Sequence, residues 1–184
     1  MDNRVFYSKK IDNTSVNKNL HYLKCLDERV IRKNLDKCFA CFGFITLTED
    51  KIKYFKNIYE NHVDNNSNYR EVEQLCFIKC SNLHKMNNLG YNVKAIKNNI
   101  YSEYFRDKYM ILCLERTKNS YEWKLPGGKI KPYEDLIIGL YRELYEEIGI
   151  KTALDNISPK VINIHVITRD NDTEALNYFY AIEF

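Results

Sequence analysis

Glycine and proline are scarce in this chain of 184 residues, with six of the first and three of the second. So low a content excludes collagen-like and Pro/Gly-rich low-complexity classes, and no internal repeat or biased segment is present. No apolar run reaches 18 residues, so no membrane-spanning helix and no membrane partner are expected. The opening "MDNRVFYSKK" lacks the apolar stretch of a signal peptide. A cytoplasmic protein is the expectation that follows. Strong charge of one sign is also missing, since the formal net charge is +3. Its distribution says more. Residues 1–107 carry 18 Lys and Arg against 13 Asp and Glu, whereas residues 108–184 carry 10 against 12. The basic half suits a polyanion, or is simply a scatter of solvated lysines.

Six cysteines are present, at Cys25, Cys38, Cys41, Cys76, Cys80 and Cys113. Without a secretion signal they do not read as a disulfide framework. "CFAC" and "CFIKC", with His84 nearby, raise a zinc site, but both pairs lie in apolar runs and the second spacing is unusual for zinc. Buried thiols acting as small hydrophobes are the reading preferred.

Periodicity places the elements. Residues 14–37 space Val16, Leu20, Leu23, Leu26, Val30, Ile31 and Leu35 roughly along one helical face, which predicts a helix ahead of the first strand. "CFACFGFITL" (38–47) predicts a strand, and "TEDKIKYFKNIYENH" (48–62) a helix with Thr48 or Asp50 near its start. Residues 64–68 read as a loop. "QLCFIKC" reads as a strand, and "NNLGYN" and "KNN" as turns. "YMILCLER" (109–116) predicts a strand, "KNSYEW" a turn into another, and "VINIHVIT" (161–168) and "ALNYFYAIEF" (175–184) two more. The size of the chain allows one domain with a sizeable core.

The chemistry concentrates in "PGGKIKPYEDLIIGLYRELYEEIGI" (126–150). On a helix advancing about 100° per residue, Glu147 falls about 40° from Glu143 and Glu146 about 60° to its other side. Three carboxylates therefore share a face, next to an apolar stripe of Ile137, Leu140, Tyr141, Leu144 and Ile148. Like charges at this spacing repel. Solvation relieves the repulsion in an ordinary acidic surface helix. A divalent cation relieves it better, and oxygen donors suit Mg²⁺ or Mn²⁺. Ahead of the helix, Gly127 and Gly128 permit close backbone approach to a ligand, and Lys129 adds a point charge suited to phosphate.

The spacing is specific. Gly128 is followed after five residues by Glu134, then after seven by Arg142-Glu143-Leu144, then by Glu146-Glu147, Gly149 and Ile150. The segment 128–150 resembles the Nudix hydrolase signature at each of its nine defined positions, and "WKLPGGKI" is similar to the segment preceding that signature. The resemblance implies a Nudix α/β/α sandwich with a mixed sheet. Its domain would span residues 38–184, with a long insertion at about 51–107 and an N-terminal helical extension at 1–37. It implies a Mg²⁺- or Mn²⁺-dependent hydrolase of pyrophosphate linkages in nucleoside diphosphate derivatives. Carried over by position, Gly127 (through its carbonyl), Glu143, Glu146 and Glu147 would hold the metal. Glu143, Arg142 and Glu147 would be catalytic, with Arg142 orienting Glu143. Gly128 and Lys129 would meet the substrate. Glu134 would support the helix start and pair with Arg142. Glu122, outside the motif, is expected to be silent.

Departures from the family pattern are Lys131 and Tyr133, where acidic and glycine residues are common, and Gly139 within the helix, whose small size is expected to leave room for substrate. Family members usually continue beyond a strand such as the one ending at Phe184. Here the N-terminal helix is expected to cover the sheet face thereby left open, and Asp170, Asp172 or Glu174 to supply any extra acid. About 60 residues separate the strands at 38–47 and 109–116, and long connections are usually functional. An insertion before the motif and Trp123 ahead of the Pro–Gly turn resemble the layout of viral mRNA-decapping Nudix enzymes. That resemblance implies capped RNA as substrate and the cytoplasm of a host as location. Lys51, Lys53 and Lys56, interleaved with Tyr54, Phe55 and Tyr59, suit RNA, or form an amphipathic helix with its aromatics in the core. ADP-ribose, a dinucleoside polyphosphate, and a non-catalytic nucleotide- or RNA-binding role are the alternatives. The sequence does not specify an oligomeric state.

Overall fold

A computed structural model describes residues 38–65, 72–151, 158–168 and 174–184, together with the backbone of 5–10; at 168 and 174 only the backbone is described. Among the described residues eight strands form one mixed sheet: β1 (Val5–Lys10), β2 (Cys38–Leu47), β3 (Val72–Lys79), β4 (Tyr109–Arg116), β5 (Tyr121–Lys124), β6 (Gly127–Lys129), β7 (Lys160–Thr168) and β8 (Glu174–Glu183). The order is β1-β7-β8-β2-β4-β3, with β5 added to β4 and β6 to β2. Only β2 and β8 run parallel; the other pairs are antiparallel. Among the described residues no helix is long and apolar enough to cross a membrane.

The strands alternate, as a sheet buried on both faces requires. In β2, Phe39, Cys41, Ile45 and Leu47 point to one core and Phe44 to the other; in β4, Ile111 and Cys113 oppose Met110 and Leu112. The first core is covered by α1 (Ile52–Asn65), which contributes Phe55, and by α4 (Leu136–Ile148), which contributes Leu140, Leu144 and Ile148. The second is covered by a tight helical turn at Cys80–Lys85, by α2 (Tyr91–Ala95) and by α3 (Lys97–Ile100), through Leu83, Val93, Ile96 and Ile100. The architecture is an α/β/α sandwich.

Several expectations change. The predicted helix at 14–37 lies outside the described residues, so its covering role is untested. Among the described residues, the second sheet face is covered from within the insertion, by residues 80–105. Val5–Lys10 is a strand on the edge of β7, so the first 37 residues are not helical throughout. Asp64 and Asn65 belong to α1 rather than to a loop. "YN" and "KNN" start short helices, because Val93, Ile96 and Ile100 give this polar stretch an apolar face to bury. The cysteines described do not assemble into a metal cluster: Cys38 is exposed, Cys41 sits in the first core and Cys80 in the second. Burial pushes the Cys80 thiol up to about 12, which suits a packed hydrophobe.

Helix α4 has clear ends. The Asp135 carboxylate accepts from the Ile137 and Ile138 N–H groups at 2.9 and 3.4 Å, and Gly149 closes the helix in the left-handed region (φ 75°), its N–H reaching the Tyr145 carbonyl at 2.9 Å. Leu144 is fully buried, whereas Ile138 on the same helix is 55% exposed. Leu144→Ala is therefore expected to destabilise the fold by about 2–5 kcal/mol. Ile138→Ala should stay within about 0.5 kcal/mol. Urea denaturation of both variants measures the contrast.

Candidate active site

Strands β2 and β4 pair only at one end, Thr46–Leu47 against Met110–Tyr109. Farther along they part. β2 takes β6 as a partner at Ala40–Phe42, and β4 takes β5 at Cys113–Arg116. The opening holds a cavity of about 490 Å³, lined by residues of β2, β4, β5, β6, α2 and α4.

Two carboxylates of α4 reach it. Glu143 and Glu147 line the cavity and are buried, at 8% and 7% exposure. The glycine pair makes this possible. A Cβ on Gly128 would stand 2.6 Å from Glu143 Oε2, and one on Gly127 would stand 2.1 Å from the Cys41 carbonyl. Gly127 also has φ 141°, closed to other residues, and its N–H donates to Glu147 Oε2 at 2.8 Å. The Pro126 carbonyl accepts from the Gly43 N–H at 2.8 Å, fixing the entry to β6.

Arg142 ties the surroundings together. Nε and Nη2 donate to the two Glu134 oxygens at 2.8 and 2.9 Å, Nη1 to Glu143 Oε1 at 2.8 Å and Glu146 Oε2 at 3.0 Å, and Nη2 also to the Lys129 carbonyl at 3.0 Å. The bidentate Glu134–Arg142 pair holds the Glu134 carboxyl below the usual carboxylate range, helped by the Lys131 N–H at 3.1 Å.

The predicted residues thus divide. Glu143, Glu147, Gly127, Gly128 and Lys129 share the cavity, and Arg142 and Glu134 brace it from behind. Glu146 does not join them. It lies farthest from the apolar stripe of the helix, and its 53%-exposed side chain turns to Arg142. Among the described residues no group of three or more His, Cys, Asp or Glu is close enough to hold a metal ion. Helix capping falls to Asp135, while Glu134 serves Arg142. Gly139 makes room for protein rather than substrate, since a Cβ there would meet Ile130 Cδ1 at 2.5 Å and Glu134 Oε1 at 2.8 Å. Tyr133 has a left-handed backbone (φ 65°), where glycine would sit without strain. Asp170 and Asp172 lie outside the described residues, as does the side chain of Glu174.

Other cavity residues were missed. Glu122 lines it and cannot serve as a silent control; β5 carries it there with Lys124, opposite Glu115 of β4. Phe42, Tyr91 and Asn92 line it too. The Asn92 amide is paired in both directions with the Leu125 backbone, at 3.2 and 3.1 Å, and the Gly90 N–H reaches the Trp123 carbonyl at 2.8 Å. These bonds fasten α2 to the cavity wall. Trp123 itself packs against the second core. The "NNLGYN" segment carried the only signal, a glycine beside an aromatic, which reads equally well as a turn.

Comparison with known proteins agrees with this geometry. The NUDIX domain model matches residues 104–181, so a Nudix domain is found there. The chain is similar to an 8-oxo-dGTP diphosphatase of Buchnera aphidicola subsp. Schizaphis graminum, 39% identical over 67 residues, which are 36% of this chain and 45% of that protein. It is also similar to an 8-oxo-dGTP diphosphatase of Buchnera aphidicola subsp. Acyrthosiphon pisum, 54% identical over 28 residues, or 15% of this chain and 23% of the relative. The chain thus spans less than half the length of the curated relatives it matches.

The brace has a pH signature. The folded-state pKa of Glu134 lies below its ordinary value of 4.5. Its ion pair therefore adds stability above pH about 4.5, and that stability is lost as pH falls through the lower, folded-state value. Glu134→Gln should be less stable than wild type at pH 7. The gap should close as the pH is lowered through this range. Urea midpoints at several pH values measure it.

Proposed function

We propose that this protein is a metal-dependent Nudix hydrolase that cleaves pyrophosphate linkages of nucleotides in the β2–β4 cavity. One observation carries the reading. Glu115, Glu122, Glu143 and Glu147 line the cavity, with only Lys124 and Lys129 to balance them. Such a cavity repels a polyphosphate unless a cation enters with it. Glu143 and Glu147 are oxygen donors of the kind Mg²⁺ and Mn²⁺ take, and both ions usually keep water and substrate oxygens as further ligands, so two carboxylates fit. When bound, the ion supplies charge neutralisation on the phosphate and a more acidic water.

The protein groups then have definite work. Glu143 and Glu147 hold the ion, and Glu143 accepts the proton of the attacking water. Arg142 fixes Glu143 Oε1, and the Gly127 N–H fixes Glu147 Oε2, so both carboxylates are oriented before substrate arrives. Lys129, exposed at the rim, meets a phosphate.

Glu143→Gln and Glu147→Gln are each expected to lower turnover by about 100-fold or more, the range supplied by acid–base and charge-stabilising groups. Glu143→Gln removes a charge from the acidic cluster but also the ion pair with Arg142 Nη1, so apo stability should fall no further than in Glu134→Gln. Mg²⁺ or Mn²⁺ should raise the wild-type thermal midpoint, and EDTA should abolish turnover. Glu103, exposed and outside the cavity, is the control as Glu103→Gln. A substrate panel of nucleoside triphosphates including 8-oxo-dGTP, ADP-ribose, diadenosine polyphosphates and capped RNA, with each metal, supplies the assay. Turnover by both glutamine variants above half of wild type on the best of these would overturn the reading.

Capped RNA is the finer reading, supported by exposed residues of α1 and of the turn before it. Lys51, Lys53 and Lys56 are exposed, and so is Tyr54, at 64%. Phe55 is buried against Phe184 and the core, and Tyr59 is half-buried with its hydroxyl on the Val72 carbonyl. Of the three aromatics, only Tyr54 is well placed to meet a base. Reversing the charge of the three lysines should weaken long-RNA binding and flatten its salt dependence, while small-nucleotide hydrolysis changes little. An equal loss on both substrates would count against the RNA surface.

A further inference from the structure

The two ends of the cavity differ in origin. Glu143 and Glu147 come from the helix on one face of the sheet, and Tyr91 comes from α2 on the other. We propose that Tyr91 is a substrate-positioning residue whose ring stacks on the nucleobase of the substrate, with Phe42 as a second aromatic wall. This inference rests on the nucleotide pyrophosphatase reading and names the part of the site that reads the base.

Tyr91 is held more firmly than packing demands. Its hydroxyl is hydrogen-bonded to His165 Nδ1 at 2.7 Å and to the Asn177 side chain. The other ring nitrogen, Nε2, lies 3.3 Å from the Asn163 side-chain amide nitrogen, so the imidazole is held on both sides. His165 and Asn177 are 7% and 8% exposed, and they stand on neighbouring strands, opposite one another in the β7–β8 register. Burial pushes the imidazole pKa down, which disfavours a second ring proton. Buried polar groups are costly unless satisfied, and here two of them serve to fix one tyrosine. The ring itself is not buried: Tyr91 is 38% exposed and lines the cavity.

The rings also form a continuous row. Tyr91 meets His165 at 5.9 Å between centroids, His165 meets Phe179 at 5.3 Å, and Phe179 meets Phe42 at 5.5 Å. Both ends of the row, Tyr91 and Phe42, open into the cavity. An aromatic surface fixed in advance loses little freedom on binding. It accepts any planar base through its π-face, which suits a base whose phosphates are held elsewhere.

The test is binding, separate from turnover. Calorimetry with Mg²⁺ compares GMP and AMP with ribose 5-phosphate, which lacks the base. Wild type should bind the nucleotides at least 10-fold more tightly than ribose 5-phosphate. Tyr91→Leu should lose most of that preference, and Tyr91→Phe, which keeps the ring, should retain part of it. Circular dichroism confirms that each variant is folded. No preference in wild type overturns the proposal without use of any variant; an unchanged preference in folded Tyr91→Leu overturns it as well. If wild type hydrolyses nothing in the substrate panel yet shows the base preference lost in Tyr91→Leu, the pyrophosphatase reading falls and the base platform stands.

Discussion

A helix and a strand approach each other here so closely that only glycine fits between them. Glu143 packs onto Gly128, where a Cβ would stand 2.6 Å from its carboxylate, and Glu147 is anchored by the Gly127 N–H. Everything at the site depends on this approach. Without it, Glu147 would be buried on the inner side of α4 without the Gly127 N–H that receives it, which is a costly arrangement. With it, the helix docks on the sheet through Leu140 and Leu144 and delivers its acids to the cavity in the same movement.

The cavity itself is a consequence of sheet geometry. β2 is shared between β4 at one end and β6 at the other, so the sheet parts where the short β6 is inserted. A gap inside a sheet exposes backbone groups that need partners. The Pro126 and Leu125 carbonyls find them in Gly43 and Asn92. The segment that supplies Asn92 also supplies Val93, Ile96 and Ile100 to the second core. One stretch of chain therefore closes the sheet face, satisfies the gap and places Tyr91.

How much of this was legible follows from what each residue contacts. Strands at 38–47 and 109–116 were read to the residue, because β-branched and aromatic runs bounded by polar residues signal themselves locally. The order of Glu134, Arg142, Glu143 and Glu147 was legible for the same reason, since one helix and its entry loop fix their spacing. Glu122 was misread because its place depends on which strand β5 joins, and no local pattern records that. Tyr91 was read as part of a turn, since its partners His165 and Asn177 lie more than 70 residues away in sequence. Glu146 shows the limit of a helical wheel. The wheel put it on the same face as Glu143 and Glu147, but the boundary between cavity and solvent runs through that face.

The acidic face also shows why fold and chemistry separate at this site. Three carboxylates, Glu134, Glu143 and Glu146, share a single guanidinium, which has the flat array of donors to serve all of them and a carbonyl besides. Glu147 is met by a backbone N–H instead. Lysine could not replace Arg142 in this role, because three donors on one nitrogen cannot reach two oxygens of Glu134 while also bridging Glu143 and Glu146. The repulsion expected from the sequence is thus handled largely by the protein, before any cation is present. An ion at Glu143 and Glu147 would then find carboxylates already oriented and would not have to assemble the helix. The residues that stabilise the cluster, Arg142 and Glu134, are behind the cavity, and Glu143 and Glu147 are inside it.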